Sequence, residues 1–263
     1  MFGWFDRLPD DDCIDWTFAT WRWLLENFGG WREFHKRRLI LPKREYYPNV
    51  EGKSEEIARR YFDLTREYAG LAGWPCRLEP QRDWDPEIGR GRPPYAWETH
   101  GAAGTFSSDW NSSEVVITYS ETLVDQPQAM IACFAHELSH YLNRSAPLPP
   151  PAGEIAEEHA TDLCAVFIGF GIFMANGAFH FEQYTDAQGH GWRASRRGYL
   201  NELQLSYALA LFCALKDIPI DAARAHLKTN PKSYVKSAAR HLARDRAEDV
   251  ALLKNVKAAR MWP

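Results

Sequence analysis

The chain has 263 residues and a formal net charge of −4, and its 45% apolar and 25% charged residues fit one large or two small globular domains. This charge excludes the broad positive field of a nucleic-acid-binding protein, so we expect no nucleic-acid partner. The longest uncharged apolar run, residues 163–175, is too short to span a bilayer, so we expect no membrane partner. Five cysteines without a C-x-x-C pair predict reduced thiols and a cytoplasmic protein.

Two amphipathic helices are predicted in the N-terminal part of the chain. Residues 13–28 can form a helix that Gly29 ends, with an apolar stripe facing either the domain core or, as the alternative, a partner. The stripe consists of Ile14, Phe18, Trp21, Leu25 and Phe28. A short strand is expected at residues 39–41, and Ser54 can cap a second helix that ends near Gly70.

The middle of the chain predicts a small sheet. Strand candidates are residues 76–79, 95–99, 105–108 and 114–120. The last candidate is the firmest, because its core, Val115-Val116-Ile117, is β-branched throughout. Residues 80–94 contain four prolines and two glycines and predict an exposed connection.

A further helix is predicted from residue 127 to residue 143. Asp125 is a good N-cap, and Pro127 is tolerated in a first helical turn. Neither glycine nor proline interrupts the segment after Pro127, and its apolar residues recur at helical spacing. The helix therefore fixes the geometry of the motif that it contains.

That motif is the pentapeptide HELSH at residues 136–140, which fits the pattern His-Glu-x-x-His. Residues i and i+4 share one face of a helix, so His136 and His140 can bind one metal ion. Glu137 lies beside that ion, where it can take a proton from a bound water. The spacing thus predicts two metal ligands and a general base.

An acidic cluster at residues 157–162 can supply the third ligand that a catalytic zinc usually has. Glu158 opens an apolar helical run that can return antiparallel and place its carboxylate on the metal. Glu157 is the competing carboxylate. Asp162 shares a face with Glu158 and can accept a hydrogen bond from the outer nitrogen of a ligating imidazole.

HELSH followed by Glu158-x-x-x-Asp162 resembles the gluzincins, the zinc metallopeptidases in which a glutamate is the third ligand. The similarity covers roughly residues 114–175, and the short gap resembles the minimal bacterial members that cleave repressors. The resemblance implies a zincin-like fold and a Zn²⁺ cofactor. The implied roles are zinc ligation by His136, His140 and Glu158, general-base chemistry by Glu137 and orientation of a ligand by Asp162.

The resemblance implies two further features. Enzymes of this type use a His or Tyr outside the motif to stabilise the oxyanion, and His190 and Tyr199 are the candidates here. In that group an edge strand before the metal-binding helix pairs with extended substrate. Residues 114–120 occupy this place in the chain, with a plain sheet strand as the alternative.

After the motif helices, residues 176–198 predict a loop because they are rich in glycine and polar residues. Residues 199–215 predict a helix, and the charged remainder is helical, with Ser233 as a plausible cap.

We therefore expect a single α+β domain over residues 1–263, with a small mixed sheet beneath several helices. Residues 1–50 form an aromatic helical extension and residues 199–263 a helical C-terminal part. The expected function is zinc-dependent hydrolysis of peptide bonds in a protein or peptide. The alternatives are a zincin-like regulatory or binding module with latent or lost activity, and a structural metal site with Cys133 or His159 as fourth ligand.

Overall fold

The computed structural model describes residues 7–81, 104–108, 115–185 and 200–259, and these residues form an α+β protein rich in helix. The helices are α1 (Asp11–Asn27), α2 (Gly30–Lys36), α3 (Ser54–Tyr68), α4 (Pro127–Arg144), α5 (Glu157–Ala165), α6 (Gly171–Thr185), α7 (Glu202–Leu215), α8 (Ile220–Arg224), α9 (Thr229–Asp245) and α10 (Ala247–Leu253). The strands are β1 (Cys76–Pro80), β2 (Gly104–Ser108) and β3 (Val115–Tyr119). The predicted class, α+β with a small sheet, is confirmed.

The three strands form one mixed sheet in the order β1–β3–β2. β1 runs parallel to β3, and β2 runs antiparallel to it. Of the two interpretations of residues 114–120, the edge strand is wrong and the plain sheet strand is confirmed, because β3 is paired on both sides. A β-branched strand whose alternate residues are buried suits this central position. The strand expected at residues 95–99 lies outside the described residues.

The apolar stripe of α1 packs into the core, as the first of its two interpretations predicts, and each of its five residues is at most 8% exposed. Trp21 is fully buried and meets Phe34, Phe167 and Phe212 edge-on, with ring centroids 5.5, 5.6 and 6.4 Å away. Such edge-to-face pairs stabilise a core beyond the area that they bury. One hydrophobic cluster extends from α1 to the segment after α10.

A π-helical turn at Val166–Phe170 joins α5 to α6 and is bent at Gly169, whose φ is 108°. The Ile40 N–H donates to the Gly169 carbonyl at 3.0 Å. A Cβ on Gly169 would lie 2.2 Å from the carbonyl oxygen of Arg38, so the bend requires glycine. The strand predicted at residues 39–41 is wrong, because this extended segment bonds to the helical bend and to no strand in the described structure.

The run Glu157–Ala178 is long and apolar enough to cross a membrane by length and composition alone. Its apolar window is wholly buried inside the protein, however, and helices of a protein core pass the same test. The run is accordingly a core element of this fold.

α6 continues to Thr185, so the loop predicted at residues 176–198 is wrong for its first part; residues 186–199 lie outside the described structure. The helix persists because the buried Asn176 has tertiary partners. Its Nδ2 donates to the His226 carbonyl, and its Oδ1 accepts from the Lys228 N–H, both at 2.9 Å. Asn176, a polar residue that favours a loop by its type, thus links α6 to the segment before α9 through buried hydrogen bonds.

The C-terminal helices begin at different residues from those predicted. α7 begins at Glu202, where the Asn201 Oδ1 accepts from two backbone N–H groups of the first turn at 3.0 Å. α9 begins at Thr229, so the cap predicted at Ser233 is wrong. Pro231 lies in the first turn of α9, where backbone N–H groups have no partner within the helix, so proline costs no helical hydrogen bond there.

Candidate metal centre

α4 carries both histidines of the HELSH motif on its buried face. It begins at Pro127 with Gln126 at the cap position, so the cap predicted at Asp125 is wrong. His136 and His140 are 2% and 8% exposed, and their rings meet edge-on with centroids 4.7 Å apart. The helical spacing thus brings the two imidazoles together, as the sequence predicts.

Three donor atoms from α4 and α5 form a small triangle. The Nε2 atoms of His136 and His140 are 3.0 Å apart, and the Oε2 atom of Glu158 lies 3.2 Å from the first and 3.4 Å from the second. A tetrahedral Zn²⁺ with bonds of about 2.0–2.2 Å separates its ligand atoms by roughly 3.3–3.6 Å. The triangle is close to the size of one face of a zinc tetrahedron, so these residues fit the ion.

Asp162 fixes the orientation of His136. Its Oδ1 atom lies 2.9 Å from the His136 Nδ1, and its Oδ2 atom accepts from the Leu200 N–H at 2.7 Å. An ionised carboxylate can only accept, so the proton of a neutral His136 is on Nδ1 and its Nε2 lone pair faces the triangle. This is the orienting contact that the i+4 relation of Asp162 to Glu158 predicts.

Thr161 makes the corresponding contact with His140, and sequence reasoning missed it. Its hydroxyl donates to the Glu157 carbonyl at 2.9 Å, which leaves its lone pairs free to accept. The His140 Nδ1 and the Asn143 Nδ2 both lie 3.3 Å from this oxygen. His140 therefore donates through Nδ1 and turns its bare Nε2 toward the triangle. The spacing of three from Glu158, on the same helical face, is a signal that could have revealed Thr161.

When both imidazoles are neutral, three electron pairs converge on one point, an arrangement that a cation stabilises. Burial alone would raise the pKa of Glu158, but its hydrogen bonds to the two histidines outweigh burial and lower that pKa. Burial alone would lower the pKa of His136, but its hydrogen bonds to Asp162 and Glu158 hold that pKa well above the ordinary value. The donor set thus favours positive charge at its centre.

Glu157 points away from the triangle. Its Oε1 atom lies 3.4 Å from the Arg144 Nε and 3.9 Å from the outer nitrogen of His140. Of the two competing carboxylates, only Glu158 reaches both Nε2 atoms. The Glu158 side chain is 39% exposed, whereas the histidines are buried, so the triangle opens to solvent on the side of that carboxylate.

Glu137 lies between the two histidines in sequence and is only 5% exposed. Burial raises the pKa of its carboxyl group, and the neighbouring imidazoles of His136 and His140 act in the opposite direction. A carboxylate with a raised pKa is a stronger base than an exposed one. The position and environment of Glu137 therefore suit proton transfer.

Within the described chain the metal-binding group comprises three residues and does not include Cys133 or His159. Cys133 is 1% exposed, and burial raises the pKa of its thiol well above the ordinary value, which fits a packing residue. His159 packs edge-on against Trp16, with ring centroids 6.1 Å apart. His190 and Tyr199, the predicted oxyanion residues, lie outside the described residues.

Comparison of the chain with protein-family models, curated proteins and solved structures gave no match.

Proposed function

We propose that the chain is a zinc-dependent peptidase with a zincin-like fold that acts on a protein or peptide. The donor triangle of His136, His140 and Glu158 carries the proposal, because it fits Zn²⁺ and opens to solvent on one side. Structural zinc sites are closed by four protein ligands, whereas catalytic sites keep one position open. Three donors in the described chain, two nitrogens and one carboxylate oxygen, favour the catalytic class.

The chemistry is divided between the cofactor and the residues of the chain. When bound, Zn²⁺ would act as a Lewis acid that lowers the pKa of water and polarises a peptide carbonyl. Glu137 accepts a proton from the attacking water and passes it to the leaving amine. Asp162 and Thr161 hold the two imidazoles with Nδ1 protonated, so that both Nε2 atoms stay available as donors.

The sheet supports an assignment of the substrate strand. α4 packs against β2 and β3, and β2 is an edge of the described sheet. Extended peptides bind edge strands by adding to the sheet, with main-chain hydrogen bonds supplying affinity. In this proposal the substrate lies along β2, because β3 has no free edge.

The thiols support a reducing compartment. All five cysteines are free, and four of them are buried. Cytosolic proteins keep their thiols reduced, whereas secreted proteins usually pair them. We therefore place the protein in the cytoplasm.

The variant Glu137→Gln tests the peptidase function against the binding-module alternative. Glutamine keeps the size of the side chain and removes its basicity, so zinc content should persist while hydrolysis of a quenched peptide library falls about 10²–10⁴-fold. Glu157→Gln is the matched control and should change neither zinc content nor hydrolysis. Full hydrolysis by the Glu137 variant would refute the assigned base. A wild type that contains zinc, cleaves no peptide and keeps a cellular phenotype in the Gln variant would identify a binding module.

A further inference from the structure

Four cations lie in a row along α9 and its N-terminal cap. Each follows the last by four residues, all four side chains are exposed, and residues 228–240 contain no acidic residue. We call this set the basic row; it consists of Lys228, Lys232, Lys236 and Arg240.

Helix geometry makes the basic row a continuous surface. Four residues advance an α-helix by about 6 Å and turn it by about 40° beyond a full turn. The row therefore extends about 18 Å and covers roughly one third of the circumference of α9. The adjoining face of the helix is buried and apolar, through Pro231, Val235, Ala238 and Leu242.

The cations of the basic row have no carboxylate partner within the described structure, whereas many other cations have one. Elsewhere, arginines and lysines commonly meet carboxylates within 4.0 Å, as Arg22 does with Glu26 and Lys254 with Asp217. The cations that flank the row also form ion pairs. Arg224 pairs with Asp221, Arg244 with Asp245, and Arg246 with Asp15 and Asp249. No ion pair within the described residues neutralises a member of the row itself.

The cations of the basic row therefore repel one another, and binding of an anionic partner would reduce this repulsion. Like charges at i and i+4 repel each other and destabilise a helix. The net charge of −4 would argue against an anionic partner only if the partner felt the summed charge of the whole chain. Charges farther away than about 8–10 Å are screened at physiological salt, so the local charge of the row decides.

We propose that the basic row binds the phosphodiester backbone of nucleic acid, without preference for base sequence. A row of unpaired cations at regular spacing suits a polymer with regularly spaced phosphates. An anionic membrane is the weaker fit, because helices that bind in the membrane interface insert an apolar face, and that face of α9 is already buried. The site is independent of the metal centre and does not rest on the proposed peptidase function.

Fluorescence anisotropy with a labelled DNA duplex of mixed sequence, titrated at several NaCl concentrations, tests the proposal. Each neutralised phosphate contributes about −0.9 to the slope of log K against log salt, so four cations predict a slope of about −3.6. The variant Lys236→Gln with Arg240→Gln should bind more weakly and reduce the slope to about −1.8. Arg59→Gln with Arg60→Gln, two exposed cations of α3, changes the net charge equally and should leave the slope unchanged.

Glutamine is a good helix former, and circular dichroism of both variants verifies that the helices are intact. Absence of salt-dependent DNA binding by the wild type would overturn the proposal. Equal loss of slope in the two variants would overturn it as well, because binding would then follow net charge. Binding to phosphatidylserine vesicles that depends on the row, without binding to DNA, would identify a membrane surface instead.

Discussion

Thr161→Val tests how His140 is held in the metal centre. Valine has nearly the shape of threonine, so packing at this fully buried position is kept while the hydroxyl is lost. The Nδ1–H of His140 and an amide N–H of Asn143 then lose their shared acceptor. Loss of a residue that orients a ligand typically weakens metal affinity by about 10–100-fold. The bond is neutral and 3.3 Å long, so we expect about tenfold, or about 1.4 kcal/mol.

Competition with a chromogenic chelator measures this affinity without depending on activity. Thr161→Ser is the matched control, because it keeps the hydroxyl and should bind zinc almost as tightly as the wild type. An unchanged affinity in the valine variant would refute the orienting role of the hydroxyl. An equal loss in the serine variant would show that the methyl group and its packing are responsible.

Three other predictions follow from the described contacts. Glu158→Gln should lose zinc while Glu157→Gln retains it, as metal analysis of both proteins can show. The reverse result would show that Glu157 is the ligand and that Glu158 is not. Asp162→Asn should weaken zinc affinity by about 10–100-fold in the chelator assay, and more than Thr161→Val does, because its bond is shorter and charge-assisted. Gly169→Ala should lower the Tm more than Gly70→Ala. Both introduce positive-φ strain of about 1–2 kcal/mol, but only at Gly169 does a Cβ meet a backbone oxygen, so equal losses would contradict the argument.

The parts of the site that the sequence could predict are those set by local geometry. One face of one helix brings His136 and His140 together, and the i+4 relation of Glu158 to Asp162 depends only on a second helix. Helical periodicity reports such relations directly, and β-branched composition located β3 in the same way.

The parts that failed depend on contacts between distant segments. The central place of β3 is set by pairing with two other strands, which no local pattern records. α6 continues through Asn176 because that side chain binds the segment before α9, some fifty residues later. Residues 39–41 are not a strand because they bond to the bend at Gly169. Tertiary hydrogen bonds overrode local preference at both of these places.

Anomalous diffraction at the zinc absorption edge, from crystals of protein purified without chelators, tests the central claim most directly. We expect one peak, about 2.0–2.2 Å from the Nε2 atoms of His136 and His140 and from a carboxylate oxygen of Glu158, with the fourth position open to solvent. A zinc ion bound by a fourth protein side chain would make the site structural, and a protein that takes up no zinc at these residues would contradict the account.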